Sequence, residues 1–205
     1  VKTVDFWFDL SSPYAYFGAT QIDAIAARHG AKVNYRPFLL GALFKSIGTP
    51  MVPLFSLSDA KRRYIGTDIV RWADVHGVPF RFPSRFPMNT IKPLRMLLAL
   101  DEAARPPLIH ALFRAYWGDD RDISDDATLT DIATREGFDP APLLAANRDE
   151  NVKAKLHEAT QEAIHLGVCG APTFIVNGLL FWGQDRLLFV EKALDGWVPA
   201  NERGA

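Results

Sequence analysis

The hydrophobic pattern changes its period twice along the chain, and the two changes predict the architecture. Val4-Asp5-Phe6-Trp7-Phe8 is a short, largely apolar run closed by Asp9 and the turn residues Ser11-Ser12-Pro13, which predicts a first strand. Tyr14, Phe17, Ile22, Ile25 and Ala26 then fall at helical spacings, and the helix stops near His29-Gly30. Val33-Asn34-Tyr35-Arg36-Pro37-Phe38 alternates and predicts a second strand, with Pro37 confining its end to an edge or a terminus. Strand, helix and strand within about 35 residues is the size of a βαβ unit.

From about residue 40 to residue 166 the period is helical almost throughout. Gly48-Thr49-Pro50-Met51-Val52-Pro53 has loop chemistry. Ser58 then opens a helix carrying Tyr64, Ile65, Ile69 and Trp72. Phe80-Arg81-Phe82-Pro83 with Phe86-Pro87 predicts an aromatic crossing segment. Thr90 is placed to cap a helix with Ile91, Leu94, Leu97 and Leu98 on one face. Further helical segments follow at Pro107 to Trp117 and Asp131 to Gly137. A long helix then presents Val152, Leu156, Ala159, Ala163 and Leu166.

The β period returns at the end. Pro172-Thr173-Phe174-Ile175-Val176 and Leu179-Leu180-Phe181-Trp182 flank Asn177-Gly178, a strong hairpin signal. Gly183-Gln184-Asp185 turns the chain into a last helix with Leu187, Val190 and Leu194. The order βαβ, helical block, ββα predicts an α/β thioredoxin-like fold with a large all-helical insertion. Residues 1–39 and 167–205 are expected to form a discontinuous thioredoxin-like domain, and residues 40–166 the insertion.

Composition narrows the function classes. The 205 residues are 48% hydrophobic, enough for a buried core, and the formal net charge of −1 offers no basic face for nucleic acid. Lys61-Arg62-Arg63 reads as a solvated helix face. No stretch approaches the roughly 18 apolar residues of a membrane span, and no signal peptide is expected. The lone Cys169 cannot form an internal disulfide and fits a reducing cytoplasm. It is expected to be a buried packing residue and not a nucleophile. The five histidines show no metal-ligand spacing, so no metal is expected.

Ser12 is the leading candidate for chemistry. It stands where the carboxyl end of a strand meets the amino end of a helix, a junction that favours anions such as a thiolate. Serine followed by proline at a helix start is also ordinary capping chemistry, and the two roles are compatible.

Several motifs together resemble the 2-hydroxychromene-2-carboxylate isomerases and the kappa-class glutathione transferases of the DsbA-like branch. They are the Asp5-Phe6 strand with Ser12-Pro13-Tyr14, Lys61-x-x-Tyr64 with Asp68 and Arg71-Trp72-Ala73, and Phe82-Pro83…Phe86-Pro87-x-Asn89-Thr90. Gly170-Ala171-Pro172-Thr173-Phe174 and Trp182-Gly183-Gln184-Asp185-Arg186 complete the set, which spans nearly the whole chain. Ser12 and Ala15 occupy the positions where a disulfide oxidoreductase has Cys-x-x-Cys, so dithiol chemistry is excluded there.

The resemblance implies glutathione as cofactor, with Ser12 stabilising its thiolate and Pro13 and Tyr14 beside it. It implies a cis Ala171-Pro172 bond, with the Ala171 backbone pairing with the cysteinyl backbone of glutathione. Gly183, Gln184 and Asp185 would hold the γ-glutamyl end, Trp182 would be part core and part site wall, and Lys61 would reach the glycyl carboxylate. Asp185 as a simple helix cap and Lys61 as a solvated residue are the plainer readings. Thr49 stands where family members commonly carry Asn, and Lys45 is the lone cation in Leu39-Leu40-Gly41-Ala42-Leu43-Phe44-Lys45.

The implied reaction is isomerisation of 2-hydroxychromene-2-carboxylate, a small aromatic carboxylate, or of a related intermediate. The product is trans-o-hydroxybenzylidenepyruvate, formed by reversible thiolate addition in aromatic hydrocarbon catabolism such as naphthalene degradation. A kappa-type transferase and a non-catalytic thioredoxin-fold binding protein are the alternatives. A cytoplasmic homodimer is expected.

Overall fold

A four-stranded mixed sheet of order β2-β1-β3-β4 organises the chain, in a computed structural model that describes residues 1–200. β1 (Lys2–Phe8) lies parallel to β2 (Ala31–Pro37), and the crossover between them is helix α1 (Pro13–Arg28). β3 (Thr173–Val176) runs antiparallel to β1, and β4 (Leu179–Trp182) antiparallel to β3 through the Asn177-Gly178 turn. Pro37 sits on the edge strand β2, where its missing N–H costs no ladder bond. β1 is central, and both of its faces are covered. Phe6 stacks on Phe8 and Phe174, and Phe8 meets Phe113, while Trp7 on the opposite face meets Phe38. This two-sided burial explains why the β1 sequence is nearly continuous in apolar residues instead of alternating.

The helices between β2 and β3 are α2 (Leu40–Ser46), α3 (Asp59–His76), α4 (Ile91–Ala99), α5 (Arg105–Trp117), α6 (Asp126–Arg135), α7 (Pro140–Ala145) and α8 (Glu150–His165). The last helix is α9 (Leu187–Leu194). Two of these, α2 and α7, are absent from the sequence expectation, and α6 starts five residues earlier than expected. Ser58 caps α3 by accepting from the Lys61 N–H. Tyr64, expected on the apolar face of α3, is exposed, whereas Ile69 is buried. On α8 the buried face is Val152, Leu156, Thr160 and Ala163, and Leu166 is exposed at the helix end.

α1 packs closely on the loop before β3. A Cβ at Gly18 would stand 3.1 Å from Phe174 Cζ and 3.4 Å from Pro172 Cγ. The missing side chain therefore lets the start of α1 approach the 170–172 loop, which brings Ser12 and Pro172 to one corner of the fold.

Candidate active site

The corner begins with a tight turn at the end of β1. Ser11 N–H donates to Asp9 Oδ1 at 3.0 Å, and Ser12 N–H donates to the Asp9 carbonyl at 3.2 Å. The turn delivers Ser12 to the N-cap of α1 with extended backbone (φ −101°, ψ 120°), and Pro13 is the first helical residue. Ser12 Oγ accepts from Ala15 N–H at 3.2 Å and donates to the Ala171 carbonyl at 2.8 Å. The capping and site readings of Ser12 thus coexist in one hydroxyl. The Ala171-Pro172 bond is cis as expected, and Phe86-Pro87 is a second cis bond that the sequence reading did not foresee.

A cavity of about 690 Å³ opens on this corner. Ser11, Ser12, Pro13 and Tyr14 form one end, with Gly170, Ala171 and Trp182 beside them. Leu39, Leu40, Gly41, Ala42, Phe44 and Lys45 of α2 and its entry form one wall, and Met51 to Leu54 with Leu57 form a second. Ile65 and Ile69 of α3, the rings of Phe82 and Phe86, and residues 87–91 complete it. The walls are apolar and aromatic, and Asp9 and Lys45 are the charged residues among those lining the cavity in the described part of the chain.

Tyr14 is half-buried, and desolvation first, then the nearby Asp68, Asp185 and Tyr64, push its phenol pKa upward. Asp9 is buried, and its pKa is raised by desolvation against the opposing pull of hydrogen bonds from Ser11, Leu40 and Thr90. Thr90 is the N-cap of α4 by position, but its hydroxyl does not cap; it donates to Asp9 Oδ1 at 2.7 Å.

The other expected site residues divide. Trp182 lines the cavity but is 57% exposed, so it is a wall and not core. Its indole lies over Gly170, where a Cβ would come within 2.4 Å of Nε1. Gln184 is buried and its amide oxygen is engaged: Oε1 lies 3.1 Å from His76 Nε2 and 3.5 Å from Gln21 Nε2. Through its amide oxygen the side chain anchors the turn to α1 and α3. Asp185 makes no capping bond; it pairs with Arg186 at 2.6 Å and stands near Tyr14.

Gly183 donates its N–H to the Pro172 carbonyl at 2.9 Å, tying the two loops together. Lys61 is exposed and lines a neighbouring cavity of about 460 Å³ with Leu57, Ala60, Tyr64 and Ile65. Leu57 and Ile65 are shared by the two cavities. Thr49 stands outside the lining residues of both, and its N–H closes the end of α2 on the Phe44 carbonyl at 2.9 Å.

Cys169 is exposed, contrary to the expectation of a packing residue, and partial desolvation of its thiol pushes the pKa up. That is the wrong direction for a nucleophile. Among the described residues no cluster of His, Cys, Asp and Glu is arranged to hold a metal, and no helix is long and apolar enough to cross a membrane.

Sequence reasoning missed Asp9 and the α2 wall. The signal for Asp9 was present as a carboxylate closing an otherwise apolar strand. For α2 only the apolar composition of residues 39–44 hinted at a lining role.

The sheet order, the serine-capped α1 and the cis-proline loop define a thioredoxin-type site with the dithiol removed. The chain belongs to the DSBA-like thioredoxin domain family, whose model matches residues 3–195. It is similar to the 2-hydroxychromene-2-carboxylate isomerase of Sphingobium xenophagum, with 29% identity over 94% of this chain and 98% of that protein. It is also similar to glutathione S-transferase kappa 1 of Caenorhabditis elegans, with 26% identity over 98% of this chain and 94% of the other. A solved 2-hydroxychromene-2-carboxylate isomerase superposes with a TM-score of 0.86 at 25% identity, over 95% of each chain.

Proposed function

We propose that this chain is a glutathione-dependent isomerase acting on 2-hydroxychromene-2-carboxylate or a related aromatic intermediate. The observation that carries the reading is the Ser12 hydroxyl, held at the start of α1 against the cis-proline loop and opening on an apolar cavity. The similarity to isomerases of this name over nearly the whole chain supports it.

The donor set suits glutathione. A neutral hydroxyl and a helix N-terminus favour a thiolate, while the acidic Asp185 beside Tyr14 suits an ammonium. Bound glutathione would supply the thiolate nucleophile. Ser12 would turn its proton from the Ala171 carbonyl to the sulfur. The Ala15 N–H would go on donating to Oγ and so strengthen the hydroxyl as a donor.

Ala171 would offer its backbone to the cysteinyl unit, the 183–185 turn would hold the γ-glutamyl end, and Lys61 would reach the glycyl carboxylate from the neighbouring cavity. The aromatic walls would take the ring, Lys45 at the rim would attract its carboxylate, and water would be excluded from the reacting atoms. We extend the reading to a cytoplasmic homodimer in aromatic catabolism. A kappa-type transferase is the second reading, favoured by the similarity to that class and by the single cation in the cavity lining.

The deciding assay follows the absorbance of 2-hydroxychromene-2-carboxylate with and without glutathione. Glutathione-dependent conversion without net glutathione consumption supports the isomerase. Consumption into a stable adduct points to the transferase. The absence of saturable glutathione binding at millimolar concentration would leave a binding protein.

A further inference from the structure

Asp9 is the buried carboxylate on the cavity wall, 1% exposed, and none of the roles above uses it. Three hydrogen bonds reach it from three separate segments. Oδ1 accepts from Ser11 N–H at 3.0 Å and from Thr90 Oγ1 at 2.7 Å, and Oδ2 accepts from Leu40 N–H at 2.8 Å. Among the described residues no Lys, Arg or His pairs with it, and the titratable group facing it is the buried phenol of Tyr116 on α5.

A buried carboxylate without a counter-ion is expensive. Its donors explain why it must be a carboxylate all the same. Both oxygens face backbone N–H groups, so an asparagine in either orientation would set its own NH2 against Ser11 or Leu40. The three donors belong to the parts that must cooperate. Ser11 adjoins Ser12, Leu40 opens the α2 wall, and Thr90 opens α4 beside Met88 and Ile91.

We propose that Asp9 is a positioning residue that fixes the spacing between the Ser12 corner and the two walls that begin at Leu40 and Thr90. An aromatic carboxylate in the cavity is thereby held against the thiol. The inference rests on the proposed function in naming that acceptor and the glutathione thiol.

Thr90→Val removes one donor at nearly constant volume, and Thr90→Ser retains it. The expected result for Thr90→Val is a rise of about tenfold in KM for the aromatic substrate, on the scale of a small misplacement. The KM for glutathione should stay within about twofold, since the glutathione contacts lie elsewhere. Thr90→Ser should restore both, and Asp9→Asn should exceed Thr90→Val. If Asp9→Asn fails to fold, the Thr90 pair decides. Unchanged KM values in Thr90→Val, or both rising together with a fall in Tm, would overturn the inference.

Binding of 1-hydroxy-2-naphthoate, followed by its fluorescence, separates this inference from the isomerase reading. If the wild-type protein binds the naphthoate but does not convert the chromene, the isomerase reading fails. Weaker naphthoate binding in Thr90→Val would still support the role of Asp9, and equal binding would overturn it. No wild-type naphthoate binding at millimolar concentration would overturn it as well.

Discussion

Ser12 Oγ donates to the carbonyl oxygen of Ala171 at 2.8 Å, joining residues 159 positions apart in sequence. The bond fastens the β1–α1 turn to the cis-proline loop at one end of the cavity. A thiolate arriving there would compete with a neutral carbonyl for the hydroxyl proton. Charge-assisted hydrogen bonds are roughly twice as strong as neutral ones, so under the proposed function the anion would take it.

Trp182 and Gly170 are in close approach, so the size of residue 170 should set the cavity wall. Gly170→Ala would push the half-exposed indole aside. We expect a shift in tryptophan emission and a several-fold rise in KM for the aromatic substrate. Stability should change little, by about 0.5–1 kcal/mol, because the indole has solvent to move into. A large fall in Tm with unchanged KM would assign Gly170 to packing.

Asp185 tests the glutathione end. Its carboxylate is near half-exposed and shared with Arg186, so a charge-assisted contact to an ammonium there belongs at the weak end of its range. Asp185→Asn should raise the KM for glutathione about tenfold while kcat falls less, the signature of lost uniform binding. An unaltered glutathione KM in a titration series would remove Asp185 from the site.

Cys169 should be dispensable. Its thiol is pushed up in pKa, and Ser12 with Ala15 leaves no resolving pair. Cys169→Ser should keep wild-type turnover, and the wild-type protein should reduce insulin disulfides only at background. Robust insulin reduction abolished by Cys169→Ser would contradict this.

Asp23 links stability to pH away from the cavity. It accepts from Tyr35 Oη at 2.7 Å and lies 3.2 Å from His110 Nε2. Partial burial works to raise its pKa, but the hydrogen bonds from His110 and Tyr35 outweigh it, and the net shift is downward. The folded state therefore gains stability from this group above the unfolded pKa of about 3.9, and loses it as pH falls through the lower folded value. The Tm difference between wild type and Asp23→Asn should be present at pH 6 and shrink as pH falls below the unfolded carboxylate value of about 3.9. A difference constant across that range would show that the carboxylate charge does not contribute.

The fold was legible in the sequence wherever periodicity ran long enough. The β1 run, the α1 face from Phe17 to Ala26 and the Asn177-Gly178 hairpin stand in the structure where the pattern placed them. α2 was not legible because seven residues entered through Leu39, with no side-chain cap, show neither a period nor a start signal. α7 has a capping Asp139 but spans only six residues.

At this corner the Ser12 cap could be read because a turn and a following proline announce it locally, whereas the cis Ala171-Pro172 bond came from the family resemblance. Asp9 showed in the sequence only as a carboxylate closing an apolar strand, since its meaning lies in donors at positions 11, 40 and 90 that only folding brings together. The anchoring bonds of Gln184 were hidden for the same reason. Its amide oxygen meets Gln21 and His76, residues that only folding brings to the 183–185 turn.

Whether the Ser12 hydroxyl serves a glutathione thiolate is decided by steady-state turnover of 2-hydroxychromene-2-carboxylate in Ser12→Ala. Losing one preorganised donor should lower kcat by about 10²-fold, with a smaller change in the KM for glutathione. The lost N-cap should cost about 1 kcal/mol of stability. Wild-type kcat in a folded Ser12→Ala protein would contradict the account and leave Ser12 as the cap of α1 alone.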